Sequence, residues 1–382
     1  MRVAIVTESF LPHVNGVTGS VQRVLEHLAA DGHKALVIAP GARPGQEEIA
    51  SYAGFPVRRV PTVRVPGIDS FPVGVPTVAV ARELRAFVPD VVHLASPFVL
   101  GAAGAFAAKA LRVPTVAVYQ TDVAGFATKY SLSPLVAATW EWLRTIHNSA
   151  ALTLAPSTPT IAELGAHGIV NVRRWGRGVD AERFQPAKRS ESLRRSWGVR
   201  PGQKVVGFVG RLAAEKGVHR LAALNDREDL RLVIVGDGPE RPLLQGQLPG
   251  ARFTGQLGGE ELAAAYASFD LFVHPGEFET FCQAIQEAQA SGVPTIGPAA
   301  GGPLDLITPG INGELLAVDT FYEELPGAVD RCLRLDGAAA RECVLGKTWR
   351  ALGEQIVGYY AEAIAARNGA IRARSPKLVR RG

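Results

Sequence analysis

No apolar run in this 382-residue chain approaches the roughly 20 residues that a membrane-spanning helix needs. The chain enters a strand-like run, Val3 to Val6, almost at once, and no basic region or cleavage site precedes it. No secretory leader is expected, and a cytoplasmic protein is. Cysteine is scarce. Cys282, Cys332 and Cys343 share no metal-ligand spacing, which argues against a zinc module or disulfide framework and for reduced thiols. Asp-x-Asp occurs nowhere, so a phosphate clamped through a divalent metal is not expected, and no metal cofactor is. The G-x-G-x-x-G fingerprint is also missing, which speaks against a nicotinamide-dependent dehydrogenase. Neither a zinc-finger nor an RNA-binding signature accompanies the net charge of +5, which sets nucleic acid aside.

What is present reads as a soluble α/β protein. Hydrophobic residues make up 47% and charged residues 20%, and 41 glycines and 26 prolines punctuate the elements. The length exceeds one ordinary core and suits two domains. The opening run 2–7 reads as a strand, 8–19 as a loop, and Val21, Val24, Leu25 and Leu28 as one face of a helix. Further strands are expected at 35–39, 57–60, 113–118, 205–209, 231–236 and 252–255.

The most informative stretch is 270–294. Leu271, Phe272 and Val273 read as a short buried strand, His274-Pro275-Gly276 as a turn, and a helix is expected from near Thr280 to Gly292. A strand, a loop and a helix N-terminus form an arrangement that accepts an anion. Glu279 in the loop and Glu287 in the helix flank it, eight positions apart. Carboxylates on both sides of a phosphate cradle suit a nucleotide sugar, with ribose on one side and hexose on the other.

With Phe281 between the glutamates and Ala288, Gly292, Val293 and Pro294 after them, the stretch resembles the E-x7-E element of retaining glycosyltransferases of family 4. The resemblance runs over residues 1 to about 365. It implies the GT-B fold: two Rossmann-like domains facing each other across a cleft, with the C-terminal helix crossing back to the first. The implied acceptor domain is 1–182, joined late by a helix at about 353–370. The donor domain is 183–352, entered through a polar linker at 183–202, and 371–382 is a basic tail. Residues 210–217 resemble the family's GRL-x2-EKG loop, in which Arg211 and Lys216 would neutralise the diphosphate and the charge of the departing group. On the donor side the resemblance also implies Gly16 and Val17 in the first loop, Gly236, Phe253, Thr280, Phe281, Cys282 and Gln283. Alternatives stay open for three of these: a plain turn at Gly16, a left-handed turn at Gly236, and a core position for Phe253.

On the acceptor side, Tyr119-Gln120-Thr121-Asp122 ends a strand where open α/β sheets place ligands. Many family members carry a His-Asp pair there; this chain has Tyr119 and Thr121 and keeps Asp122. Asp122 either orients the acceptor hydroxyl, as a catalytic group, or caps a helix. Arg177, within Trp175–Asp180, offers a guanidinium to a phosphate or carboxylate of the acceptor. Arg58, Arg59 and Arg64 meet either an acidic acceptor or solvent. Residues 123–148 carry Phe126, Lys129, Tyr130, Trp140, Trp142 and Arg144, which suits either a membrane-interface helix or a core helix. From Arg367 to the end, six cations meet no acid, which suits an anionic membrane surface or a solvated tail.

Several segments, among them PDVVHLASP, FVGRLAAEK and HPGEFETF, look especially like the GDP-mannose-dependent mannosyltransferases of actinobacteria that act on glucuronosyl diacylglycerol. The expected partners are therefore GDP-mannose and a glycolipid acceptor at the inner face of the plasma membrane. UDP-sugar-dependent glucosyl or sulfoquinovosyl transfer to diacylglycerol, mannosyl transfer to a phosphatidylinositol-type lipid, and non-catalytic binding of a nucleotide sugar are the alternatives.

Overall fold

The computed structural model describes residues 1–42, 45–63, 73–75, 78–120 and 133–374. Two compact units form. The first comprises Met1–Pro156, Ile161–Trp175 and the chain from Leu352 on; the second comprises Ser157–Thr160 and Gly176–Ala351.

In the first unit the strands are β1 (Arg2–Thr7), β2 (Lys34–Pro40), β3 (Ser51–Tyr52), β4 (Phe55–Val60), β5 (Thr62–Val63), β6 (Val73–Gly74), β7 (Val91–Ala95), β8 (Thr115–Val118), β9 (Leu152–Ala155) and β10 (Val172–Arg174). All but β5 and β6 join one sheet in the order β10-β9-β8-β7-β1-β2-β4-β3. Every pairing is parallel except that of β3 with β4. The central strands are buried along almost their whole length, which explains why VAIV and LVIA are continuous apolar runs and do not alternate. The helix Gly16–Ala30 starts where Asn15 accepts a hydrogen bond from Thr18 N, and it buries Val21, Val24, Leu25 and Leu28, the expected face.

The C-terminal helix, Trp349–Arg374, completes this unit. Ile356, Tyr360 and Ala363 enter the same hydrophobic cluster as Val3, Ile5 and Leu25. Trp175 Nε1 donates to Leu352 O (3.0 Å) and the Tyr359 hydroxyl to Arg174 O (2.8 Å). The Tyr360 hydroxyl shares a 2.6 Å hydrogen bond with Nδ1 of His93 on β7. Burial pushes the His93 pKa down to about 3, so this ring is neutral at working pH.

The second unit holds β11 (Lys204–Val209), β12 (Leu230–Val235), β13 (Arg252–Gly255), β14 (Leu271–Val273), β15 (Thr295–Pro298) and β16 (Gly313–Leu316), all parallel, in the order β13-β12-β11-β14-β15-β16. Two clusters, one centred on Tyr266, Phe269 and Phe272 and one on Phe208, Leu221 and Phe321, fill its two faces.

Two expectations need correction here. Residues 183–202 are not a free polar linker. Ser190 caps the short helix Glu191–Ser196, and Arg194 is buried, donating to Ser268 O and Asp270 Oδ2 at 2.8 Å each. The basic charges of this polar linker are the ones that fasten it. The helix expected near Thr280 starts at Gln283, because Cys282 takes a left-handed conformation (φ 74°) that interrupts it.

Candidate active site

In an open α/β sheet, ligands gather at the carboxyl ends of the strands where the winding direction reverses. In the second sheet that point lies between β11 and β14. The loops leaving these two strands are Gly210–Gly217 and His274–Cys282, so the chain's topology brings Lys216 and Glu279 together.

Lys216 Nζ donates a hydrogen bond to Glu279 Oε1. His274 Nε2 lies 3.1 Å from the same oxygen, though off the line of a hydrogen bond, and the ring is only 2% exposed. Burial alone would raise the Glu279 pKa; His274 and Lys216 outweigh it and hold the carboxyl at about 2. For Lys216, burial pulls downward and the charge of Glu279 pushes upward, and the net direction is up. At neutral pH the pair is therefore carboxylate and ammonium.

Glu287 has the opposite environment. Burial pushes its carboxyl from the ordinary 4.5 up to about 7, against the pull of the Tyr266 hydroxyl and the more distant Arg183 charge. Two glutamates eight positions apart are thus tuned in opposite directions, one permanently ionised and one titrating near neutrality.

Between them the helix Gln283–Ala290 begins without a side-chain cap, leaving its first N–H groups for an anion. The left-handed Cys282 that aims this helix costs on the order of 1 kcal/mol. A glycine pair supports the bend from behind. Gly302 N donates to Glu279 O at 2.7 Å, and a Cβ on Gly301 or Gly302 would collide with the Glu279 or Phe281 carbonyl. Arg220 fastens the start of the loop, donating from Nη1 to Pro275 O (2.8 Å) with Nη2 3.7 Å from Glu277.

Several sequence-derived assignments are refined by this placement. Arg211 is mostly exposed and pairs with Glu215 four residues on. Phe281 packs in the hydrophobic cluster with Ile285 and Ala288, and Cys282 borders the same cluster while its Sγ lies within 4.8 Å of a Glu279 oxygen. Gln283 spends its amide on Gly178 O (3.0 Å), as Gln286 does on Arg177 O (3.0 Å), which again leaves backbone groups for a donor. Thr280 is half-buried in the bend itself. Burial pulls the Arg177 guanidinium down to about 10. Gly236 (φ 132°) has a packing reason to be glycine, because a Cβ would overlap the Gly210 carbonyl oxygen. Phe253 packs at the edge of the second unit's core.

In the first unit, Gly16 is the exposed first residue of its helix, and Val17 is half-buried against the core. Tyr119 is buried, and its ring stacks on Trp140 (ring centroids 6.5 Å, 14°). Thr121 and Asp122 lie outside the described residues, as do Phe126, Lys129, Tyr130 and Arg64. Arg59 is not free for an acidic acceptor; it donates to Leu11 O (2.7 Å) and Pro40 O (3.0 Å). His274, Arg220 and Tyr266 were not singled out from sequence. For His274 a signal existed, its position just past a buried strand; Arg220 and Tyr266 gave none.

The family model for Glycosyltransferase Family 4 matches residues 14–183, and that for Glycosyl transferases group 1 matches residues 189–343. The chain is 63% identical over 370 residues to the GDP-mannose-dependent alpha-mannosyltransferase of Corynebacterium glutamicum, covering 96% of this chain and 90% of that one. It is 32% identical to sulfoquinovosyl transferase SQD2 of Arabidopsis thaliana, covering 93% and 72%. Among solved structures, sucrose-phosphate synthase from Thermosynechococcus elongatus aligns with a TM-score of 0.75 at 19% identity, covering 96% and 99%.

Proposed function

The chain belongs to glycosyltransferase family 4, and from that premise we propose that it transfers mannose from GDP-mannose to a glycolipid, glucuronosyl diacylglycerol or a close relative, giving an α-mannoside. The observation that carries the donor assignment is the likeness, over 96% of the chain, to a relative named for GDP-mannose. The tuned pair Glu279/Glu287 beside Lys216 supports a nucleotide sugar at this position.

In this reading the β-phosphate sits at the N-terminus of the helix Gln283–Ala290 and against Lys216, with Arg211 turning from Glu215 toward the diphosphate. These cations and backbone dipoles stabilise the charge that grows as GDP leaves, and no metal is needed for that work. Glu279, ionised throughout the physiological range, accepts hydrogen bonds from mannose hydroxyls. Glu287 accepts from the ribose hydroxyls. The acceptor oxygen bonds to the anomeric carbon on the face from which the phosphate departs. The leaving phosphate oxygen takes the acceptor's proton, and configuration is retained. Asp122 is assigned to orient the acceptor hydroxyl.

A lipid acceptor requires a membrane surface, and the protein is placed at the inner face of the plasma membrane without spanning it. No helix among the described residues is long and apolar enough to cross. Support for peripheral binding is the exposed pair Phe106 and Trp142, ring centroids 6.4 Å apart, with Lys109 one helical turn beyond Phe106. Trp140, by contrast, is buried against His167 (3.7 Å, 7°) and takes no part.

The test is transfer by the purified full-length chain from labelled GDP-mannose to glucuronosyl diacylglycerol in anionic vesicles, with the anomeric configuration read by NMR. A labelled α-mannosyl lipid is expected. The 32% likeness to a sulfoquinovosyl transferase keeps one rival reading: turnover of a UDP-sugar in preference to GDP-mannose would replace the proposal with it.

A further inference from the structure

The cluster around Glu279 holds more donor atoms than sugar binding uses. One ring nitrogen of His274, one Glu279 oxygen and Cys282 Sγ all lie within 4.8 Å of one another. His274 is 2% and Cys282 4% exposed. Nδ1 of His274 makes no hydrogen bond among the described residues, an expense that buried polar groups seldom bear, and Nε2 faces a Glu279 oxygen at 3.1 Å. A thiol, an imidazole and a carboxylate converging on one point form a mixed S/N/O donor set that suits a borderline-soft divalent cation.

We propose that His274, Glu279 and Cys282 form an inhibitory binding site for zinc or a similar thiophilic divalent cation. Tetrahedral ligands around zinc stand about 3.3–3.8 Å apart, given bonds of about 2.0–2.3 Å; His274 and Glu279 already stand 3.1 Å apart, so Cys282 is the ligand that must approach, by up to roughly 1 Å. Glu279 and Cys282 sit on one bend, held from behind by Gly301 and Gly302. His274 binds through the lone pair of Nε2. Cys282 loses its S–H proton to solvent as the sulfur–metal bond forms, so one proton is released per ion and binding strengthens as pH rises. The Lys216 ammonium, paired with Glu279, opposes the cation and keeps affinity below that of a structural zinc site. Metal binding draws Glu279 away from Lys216 and occupies the space assigned above to the sugar; this competition, though not the metal site itself, rests on the proposed donor site.

Cobalt(II) titration of the full-length chain tests the site by absorbance. A near-ultraviolet thiolate charge-transfer band with visible bands of a tetrahedral centre is expected at one ion per chain, and zinc should abolish both. Cys282→Ser should lose the thiolate band, while Cys332→Ser and Cys343→Ser should retain it. In transfer assays, zinc inhibition should be relieved by a chelator, and its half-inhibitory concentration should rise about tenfold or more in Cys282→Ser, whatever activity that variant retains. No thiolate band in the wild-type chain, or a band that follows Cys343, overturns the proposal. If Cys282→Ser fails to fold by circular dichroism, His274→Gln gives the same reading through loss of the tetrahedral visible bands. A band that forms in the wild-type chain but ignores GDP-mannose upholds the metal site and removes the donor from it.

Discussion

Replacing Glu287 by glutamine should stabilise the protein, and should do so only at high pH. In the folded chain this carboxyl titrates at about 7; in the unfolded chain it returns to the ordinary 4.5. Between those values the folded state binds the extra proton, so wild-type stability falls as pH rises from 4.5 through 7. The interval corresponds to about 3 kcal/mol, a ceiling because part of Glu287 remains open to solvent. Glutamine does not titrate, and any cost of its amide is the same at every pH. The difference in stability between Glu287→Gln and wild type should therefore widen by up to about 3 kcal/mol from pH 4.5 to 8.5, or several degrees in apparent Tm for a unit of this size. Thermal unfolding of donor-free protein at the two pH values measures it, and titrations shared by both proteins cancel. An equal Tm difference at both ends would mean that Glu287 ionises normally, and the opposed tuning of the two glutamates would be wrong.

In the same variant, donor binding should weaken sharply, and in the wild type the KM for donor should climb as pH drops below about 7, because a protonated Glu287 accepts ribose hydroxyls poorly; a flat profile from pH 8 to 5.5 would count against the ribose role. Lys216→Ala should reduce kcat by about 100-fold or more, as loss of a group aimed at developing charge does; near-wild-type turnover would dismiss the phosphate assignment. Gly302→Ala should distort the bend that carries Glu279, so that transfer falls while far-ultraviolet circular dichroism is kept. Tyr360→Phe, which strips the buried His93 ring of its hydrogen-bond partner, should cost about 1–3 kcal/mol in the first unit's stability as read by urea unfolding.

Much of this arrangement was legible in the chain. Continuous apolar runs such as VAIV mark strands covered on both faces, and the Val21-Val24-Leu25-Leu28 stripe marks the face of a helix, because both periodicities are local. Lys216 and Glu279 were found through motif likeness, 63 positions apart, and sheet topology explains why they meet. Features set by long-range contact were not legible. The late start of the helix at Gln283 depends on the glycines at 301 and 302 supporting the bend from another loop. That the polar linker 183–202 is fastened by its basic residues was not legible, because their acid, Asp270, lies far along the chain. The stacking of Tyr119 on Trp140 is another long-range contact that no local pattern shows.

The terminal helix has a consequence for how the protein is made. Residues 1–175 emerge from the ribosome first, yet Ile356, Tyr360 and Ala363, which close their core, follow only after the whole of Gly176–Ala351. At about 5–20 residues per second, the nascent first unit spends roughly 10 to 35 seconds with its apolar seam uncovered. During that time His93 lacks Tyr360 and Trp175 lacks its carbonyl partner at Leu352. Chaperone demand, and sensitivity to truncation or to a bulky C-terminal fusion, should therefore concentrate on a domain whose sequence was translated long before it could close.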